Sequence, residues 1–201
     1  ALLLAFPAMA QQTKQFTLDE LMWGGSSYWQ LQPKNLYANF WGDRLVELDV
    51  EHTKTLTDAK GKKVQQPQLL FTLDEVNAAL DTAKWGKCYS LMTQSFPSGK
   101  ETQCVLTTPE ARFLYDWKTK KVVWTQAQPK GTQALKAASA TRHLAYVKDW
   151  NLFVQRADGK TLQVSTDGTR ELQYGLGVHR DEFGIHEGLF WSPKGNLLAF
   201  Y

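Results

Sequence analysis

The sequence predicts an all-β fold, a partial β-propeller of four-stranded blades with two short helices, and three observations support that prediction. Many short apolar segments alternate with turn-forming residues at nearly regular spacing, which is typical of sandwiches and propellers. Aromatic residues make up 12% of the chain and include 8 Trp, a content that favours packed sheets over helical bundles. A Leu-Ala-aromatic motif also recurs, at residues 144–146 and 198–200, as expected for repeated blades.

Composition narrows the class of protein before any motif is considered. The chain has 201 residues, of which 43% are hydrophobic and 21% charged. These values are close to those of soluble globular domains and argue against disorder, collagen-like repeats and a membrane-spanning helical bundle. Lys and Arg number 23 against 20 Asp and Glu, for a net charge of +3, and the basic residues are scattered along the chain. No nucleic-acid groove is therefore expected.

Two capping boxes predict the two helices. Residues 17–20 and residues 72–75 both read Thr-Leu-Asp-Glu, so in each box the Thr hydroxyl and the Glu carboxylate satisfy each other's backbone N–H groups. The first box predicts a helix over about residues 17–22. The second predicts a longer helix over about 73–84, because apolar residues recur at helical spacing until Gly86 interrupts them.

The rest of the chain is predicted to be strand and turn. Gly-Asp, Asp-Gly and Lys-Gly pairs divide it, and each pair is a turn signal. The candidate strands lie between these turns, at residues 36–41, 44–50, 87–94, 101–107, 111–117, 120–126, 142–148, 151–156, 160–166, 188–191 and 196–201.

Two hairpins with matching patterns indicate how the strands are arranged. Residues 113–124 and residues 152–164 each contain an apolar strand, a short polar tip and a second apolar strand. A Ser-Pro-Lys-Gly turn at residues 192–195 precedes the second Leu-Ala-aromatic motif. This alternation favours blades of roughly 40 to 55 residues stacked radially. On periodicity alone, a β-sandwich remains the alternative.

The two ends of the sequence predict processing and truncation. Residues 1–10 are apolar and uncharged and end in Ala-Met-Ala, which fits a signal-peptidase site. They are predicted to be the remnant of a secretory signal peptide, with an apolar strand or a buried helix end as the alternative. At the other end, the apolar run 197–201 has no turn after it. We interpret this run as an interrupted strand, and the sequence as a fragment of a longer exported protein.

Cys88 and Cys104 lie on either side of a turn-like segment, residues 96–100. If residues 87–94 and 101–107 pair as a hairpin, the two thiols come close across the ladder. Export makes a disulfide permissible, but two cysteines in a domain of this size are not a disulfide scaffold. A Cys88–Cys104 bridge and two half-buried free thiols therefore stand as equal alternatives.

Three segments in the second half of the chain carry a specific resemblance. They are residues 144–154, residues 178–185 (Val-His-Arg-Asp-Glu-Phe-Gly-Ile) and residues 190–201, which begin Phe-Trp-Ser-Pro-Lys-Gly-Asn. Together they resemble the N-terminal β-propeller of dipeptidyl peptidase IV, in the prolyl oligopeptidase family, and most of all its bacterial, Bacteroidetes-like branch. The similarity covers residues 16–201 and is strongest after Thr141.

This resemblance implies an activity and a binding site. The family releases dipeptides from peptide N-termini, usually where the second residue is Pro or Ala, by serine acyl transfer. Its propeller recognises the substrate, because adjacent carboxylates pair with the cationic α-ammonium group. The matching positions are Asp181 and Glu182, and Glu182 is the expected principal anchor because Asp181 has the shorter side chain. The arginine that the family offers to the substrate carbonyl has no counterpart near Val105, so that role is unassigned.

The catalytic groups are expected to lie outside this sequence. Serine acyl transfer needs a Gly-x-Ser-x-Gly elbow with a later Asp and His, and that elbow is absent from the 201 residues. Residues 11–201 are therefore predicted to be the N-terminal part of the propeller, without the α/β-hydrolase domain. The histidines and cysteines show no metal-ligand spacing and no nucleotide motif occurs, so no cofactor is expected.

Partners and location follow from the same reasoning. Peptides with a free N-terminus are the expected partners, together with a second copy of the protein in a homodimer, whereas nucleic acid and a membrane span are not expected. The signal peptide and the resemblance together place the protein in the periplasm or at the cell envelope of a bacterium. The alternative function is a non-catalytic propeller that binds peptide, glycan or another protein, since a fold does not by itself define a function.

Overall fold

The computed structural model describes residues 15–33, 35–178 and 182–201. In these residues thirteen strands form four antiparallel sheets, which confirms the prediction of an all-β fold. The described residues before Tyr37 form a separate unit, and residues 37–201 form the unit that contains all the sheets. No helix in the described part of the chain is both long and apolar enough to cross a membrane.

Each sheet is a simple meander in which consecutive strands pair with each other. The first sheet contains β1 (Ala38–Trp41), β2 (Arg44–Leu48), β3 (His52–Thr57) and β4 (Lys63–Thr72), and the second contains β5 (Gln103–Thr107), β6 (Ala111–Asp116) and β7 (Lys121–Ala127). The third sheet contains β8 (Ala134–Ala137), β9 (Leu144–Lys148), β10 (Asn151–Gln155) and β11 (Thr161–Gln163), and the fourth contains β12 (Leu189–Trp191) and β13 (Leu198–Phe200).

Both predicted capping boxes are present, and the longer predicted helix is divided in two. Thr17 caps α1 (Leu18–Leu21) and Thr72 caps α3 (Leu73–Ala79), each with its partner Glu. The predicted helix over 73–84 breaks at Leu80, whose backbone is extended. Asp81 then caps the separate α4 (Thr82–Trp85) by accepting the N–H of Lys84. One further helix, α2 (Tyr28–Leu31), was not predicted.

The candidate strand at residues 87–94 is wrong, and so is the hairpin built on it. Side-chain amides hold this segment instead of a ladder. Asn77 donates to the carbonyl of Cys88 at 3.0 Å and accepts its N–H at 2.9 Å, while Gln94 donates to Thr53 Oγ1 at 2.7 Å. Only Ser95 forms a bridge to β5, through paired backbone hydrogen bonds with Val105.

Three strands were missing from the prediction because their sequences lack apolar alternation. β3 places Thr53 and Thr55 at its buried positions, so its core-facing side chains are polar. β4 contains three Gln and Pro67, and proline is tolerated there because β4 pairs on one side only. β8 is four residues long and fully buried at none of its positions.

Aromatic packing joins the first two sheets. Phe71 on β4 is fully buried and lies 5.4 Å from Trp117 in a stacked arrangement and 5.5 Å from Tyr115 in an edge arrangement. Trp41 meets Trp117 edge to face at 5.1 Å. A second cluster joins the third and fourth sheets, and its buried members are Ala145, Val147, Leu152 and Leu189.

Removing the Phe71 ring should show how strongly the first two sheets depend on each other. Phe71→Ala is expected to lower the free energy of unfolding by about 3–5 kcal/mol, because it leaves a cavity between Tyr115 and Trp117. Leu69→Ala, on the same strand but about half exposed, is the matched control and should change it by about 0.5 kcal/mol. Equal effects in urea unfolding would contradict this account of the core.

Candidate functional site

Glu182 begins a tight turn, Glu182–Gly184, that leads towards β12. The N–H of Ile185 donates to the carbonyl of Glu182 at 3.0 Å, and both Phe183 and Gly184 have positive φ, of 55° and 71°. Positive φ is unfavourable for a bulky residue such as Phe, so the surrounding structure must hold the turn. The Glu182 side chain is exposed, and its carboxylate is therefore accessible to a ligand.

A close backbone approach fixes the chain that follows this turn. A Cβ on Gly188 would lie 2.4 Å from the carbonyl oxygen of Leu176, a separation that no residue other than glycine permits. Tyr201 donates its N–H to the carbonyl of Gly188 at 3.2 Å, and Gly175 donates to the carbonyl of Tyr201 at 2.7 Å. The segments before and after the turn are therefore packed directly against each other.

A second carboxylate on the same segment is already neutralised. Lys136 on β8 donates to both oxygens of Glu187, at 2.5 and 2.7 Å, and its carbonyl accepts the indole N–H of Trp191 at 3.1 Å. Among the described residues, no Lys, Arg or His forms an ion pair with Glu182. Glu187 therefore acts within the fold, whereas the carboxylate of Glu182 remains available for an external cation.

A groove of about 470 Å³ adjoins the turn. Phe190 and Tyr201 form part of its wall and meet edge to face at 5.5 Å. The lining residues are Gly184, Ile185, His186, Glu187, Phe190 and Tyr201. The groove reaches Gly184, at the end of the turn that begins with Glu182, and its apolar wall suits an apolar side chain of a ligand.

Asp181, the second predicted anchor, lies outside the described residues. The structure therefore gives the position of Glu182 but not that of its neighbour. Among the residues that are described, no group of three or more His, Cys, Asp or Glu is arranged to hold a metal ion.

Comparison with known proteins identifies the family. Residues 56–201 match the family model described as the dipeptidyl peptidase IV (DPP IV) N-terminal region. The chain belongs to this family. The match covers all of β4 and the second, third and fourth sheets, and thus includes the Glu182 turn.

Two crystal structures show the same fold. A Bacteroides ovatus protein assigned as a dipeptidyl aminopeptidase IV is similar to 94% of this chain, with 32% sequence identity and a TM-score of 0.66. Porphyromonas gingivalis dipeptidyl peptidase 4 is similar to 92% of it, with 18% identity and a TM-score of 0.53. These likenesses confirm the predicted partial propeller. The matched regions make up 25% and 27% of the two relatives, so this chain spans about a quarter of their length.

In this DPP IV N-terminal region the two cysteines are buried free thiols in the core shared by the first two sheets. Burial raises the pKa of Cys88, and it raises that of Cys104 well above its ordinary value, with a smaller contribution from the nearby Cys88. The protonated form of both is therefore favoured. The Cys88–Cys104 bridge stays a prediction, and the structure describes the reduced state.

Sequence reasoning predicts Glu182 as an anchor, which stays a prediction, and does not predict the nearby ion pair between Glu187 and Lys136. Glu187 and Lys136 are separated by 51 residues, and Lys136 lies on the unpredicted strand β8. Charged residues this far apart carry no local signal of pairing. Only the packing of the third sheet against the fourth brings them together.

Replacing Gly188 tests how the turn is held. Gly188→Ala should lower the free energy of unfolding by about 1–3 kcal/mol, since the new methyl group would collide with the Leu176 carbonyl. Gly177→Ala is the control, because a Cβ there would come no closer than 3.5 Å to its neighbours. Thermal or urea unfolding measures both, and equal stability of the two variants would contradict the proposed close contact.

Thiol titration distinguishes the two states of the cysteines. In the folded protein near neutral pH we expect both thiols to react slowly, because burial disfavours the thiolate that attacks the reagent. After unfolding without reductant, the free-thiol state gives two reactive groups and the bridged state gives none. Two fast-reacting thiols in the folded protein would contradict their burial.

Proposed function

We propose that this chain is the substrate-recognition part of an exported serine exopeptidase that releases Xaa-Pro or Xaa-Ala dipeptides from peptide N-termini. Its membership of the DPP IV N-terminal region and the names of the two similar structures support the peptidase assignment. The main structural support for the binding site is the exposed carboxylate of Glu182, which has no cationic partner among the described residues. The neighbouring Glu187 is already paired with Lys136.

Glu182 acts as an anchor for the substrate α-ammonium. Its carboxylate accepts hydrogen bonds from the ammonium, and Asp181 supplies a second, shorter arm. A neutral N-terminal amide would gain much less from this pair, because the hydrogen bonds would no longer be charge-assisted. Fixing the N-terminus also sets how many residues reach the nucleophile, so this contact determines that dipeptides are released.

Glu182 takes no part in proton transfer in this proposal. The acylating serine and its His and Asp belong to a hydrolase domain outside this chain, and Glu182 positions the scissile bond for them. The wall formed by Phe190 and Tyr201 contributes by excluding water around the charged pair. Residues 1–10 serve as the signal peptide that directs the protein to the periplasm or cell envelope, where a homodimer is the proposed assembly.

Neutralising Glu182 in the full-length enzyme tests this role. Glu182→Gln keeps the size and hydrogen-bonding capacity of the side chain but weakens a charge-assisted contact worth about 1.5–3 kcal/mol. We expect kcat/KM for a dipeptide p-nitroanilide with a free amine to fall by roughly 10- to 150-fold. Labelling of the catalytic serine by a small fluorophosphonate, which makes no contact with the amine site, should be nearly unchanged.

Glu171→Gln is the matched control, because it removes the same charge from an exposed carboxylate that does not line the groove. It should leave kcat/KM almost unaltered. Asp181→Asn should have a smaller effect than Glu182→Gln. Full activity in Glu182→Gln together with loss of activity in Asp181→Asn would move the principal anchor by one residue, and normal activity in both would refute the proposed site.

A further inference from the structure

Two arginines and a tryptophan line a cavity of about 750 Å³ between the second and third sheets. Arg112 is on β6, Trp124 is on β7, and Arg142 lies in the loop that joins β8 to β9. None of the residues of the Glu182 turn lines this cavity. It is therefore a separate feature of the molecule from the proposed ammonium site.

Arg112 is buried without adequate hydrogen bonding. The residue is only 5% exposed, and its Nη2 makes a single long hydrogen bond of 3.4 Å to the carbonyl of Thr141. Its Nε is buried and has no hydrogen-bond partner in the described part of the chain. A buried cationic donor in this condition is costly unless a ligand or water satisfies it.

Arg142 brings a second positive charge to the same ring. The guanidinium carbons of Arg112 and Arg142 lie 5.4 and 5.6 Å from the centroid of Trp124. Burial and, to a smaller extent, the charge of Arg142 lower the pKa of Arg112. Glu101 is the one acidic residue among the described residues that line the cavity, and it forms no ion pair with either arginine within 4.0 Å.

Gln126 adds further unsatisfied polar atoms on the same side of the sheet. It is the register partner of Arg112 across β6 and β7, and directly opposed residues point to the same face. Gln126 is 8% exposed, and neither its amide nitrogen nor its amide oxygen has a partner among the described residues. The strand pair therefore buries both the Nε of a cation and an amide without hydrogen-bond partners among the described residues, and of the two residues Arg112 lines the cavity.

We propose that this cavity binds an organic carboxylate, with the carboxylate group held by Arg112 and Arg142 and an apolar body packed against Trp124. The planar donor fork of arginine matches the two oxygens of a carboxylate. The remaining wall is largely apolar and includes Phe96, Leu114 and Ala138. The volume is within the range of small-molecule sites, and an anion here would relieve the repulsion between the two guanidinium groups.

Calorimetric titration of the full-length protein with benzoate and with benzamide tests the proposal. The two probes have nearly the same shape, but only benzoate carries a charge, so benzoate should bind and benzamide should bind at least about 10-fold more weakly. Arg142→Gln should weaken benzoate binding by about 10-fold. Arg142 is exposed, so this variant is expected to fold, unlike a variant of the buried Arg112.

Lys121→Gln is the charge-matched control, because Lys121 is an exposed residue of β7 that does not line the cavity. It should bind benzoate like the unaltered protein. The proposal is overturned if benzoate gives no binding heat, if benzamide binds equally well, or if Arg142→Gln binds benzoate normally. Displacement of benzoate by an equal concentration of inorganic phosphate would show that the cavity selects charge alone and would overturn the organic-ligand assignment.

Discussion

Aromatic packing between neighbouring sheets is the interaction on which the rest of this structure depends. None of the described sheets has more than four strands, and their buried apolar side chains form clusters shared with a neighbouring sheet. Phe71 and Trp41 from the first sheet therefore meet Tyr115 and Trp117, at and just after the end of β6 in the second. Edge and offset contacts between such rings combine large buried areas with specific geometry, so they set how one blade sits on the next.

The packing of neighbouring blades also determines which charged side chains find an ion-pair partner and which do not. Lys136 on β8 reaches Glu187 near β12 because the third and fourth sheets lie side by side, whereas Glu182 is exposed and forms no ion pair with a described residue. The packing of the second sheet against the β8–β9 loop has the opposite result. It buries Arg112 beside Arg142, and neither arginine forms an ion pair with a described carboxylate. Blade packing thus brings one pair of opposite charges together and leaves the charges of Glu182 and of the two arginines without an ion-pair partner among the described residues.

The sequence predicts those elements whose local pattern and tertiary environment agree. The 113–124 and 152–164 hairpins were found because each has two apolar segments around a short polar tip, and β6–β7 and β10–β11 lie there. Strand β3 was not predicted, because its core positions are occupied by the polar side chains of Thr53 and Thr55. Glu182 was identified by resemblance to a family. Arg112 with Arg142, and Glu187 with Lys136, could not be predicted, because only tertiary packing brings these distant residues together.

The exposure of Glu182 limits what this residue can do alone. An ion pair between fully solvated groups contributes only about 0–1 kcal/mol, which is too little to select a free N-terminus strongly. Tight recognition requires that water be displaced around the carboxylate, since the same charges attract more strongly in a less polar environment. The aromatic wall of Phe190 and Tyr201 lies beside the turn, and the close backbone approach at Gly188 packs the intervening segment against Leu176. The proposed recognition of a free N-terminus therefore requires the packing around the fourth sheet as well as the charge of Glu182.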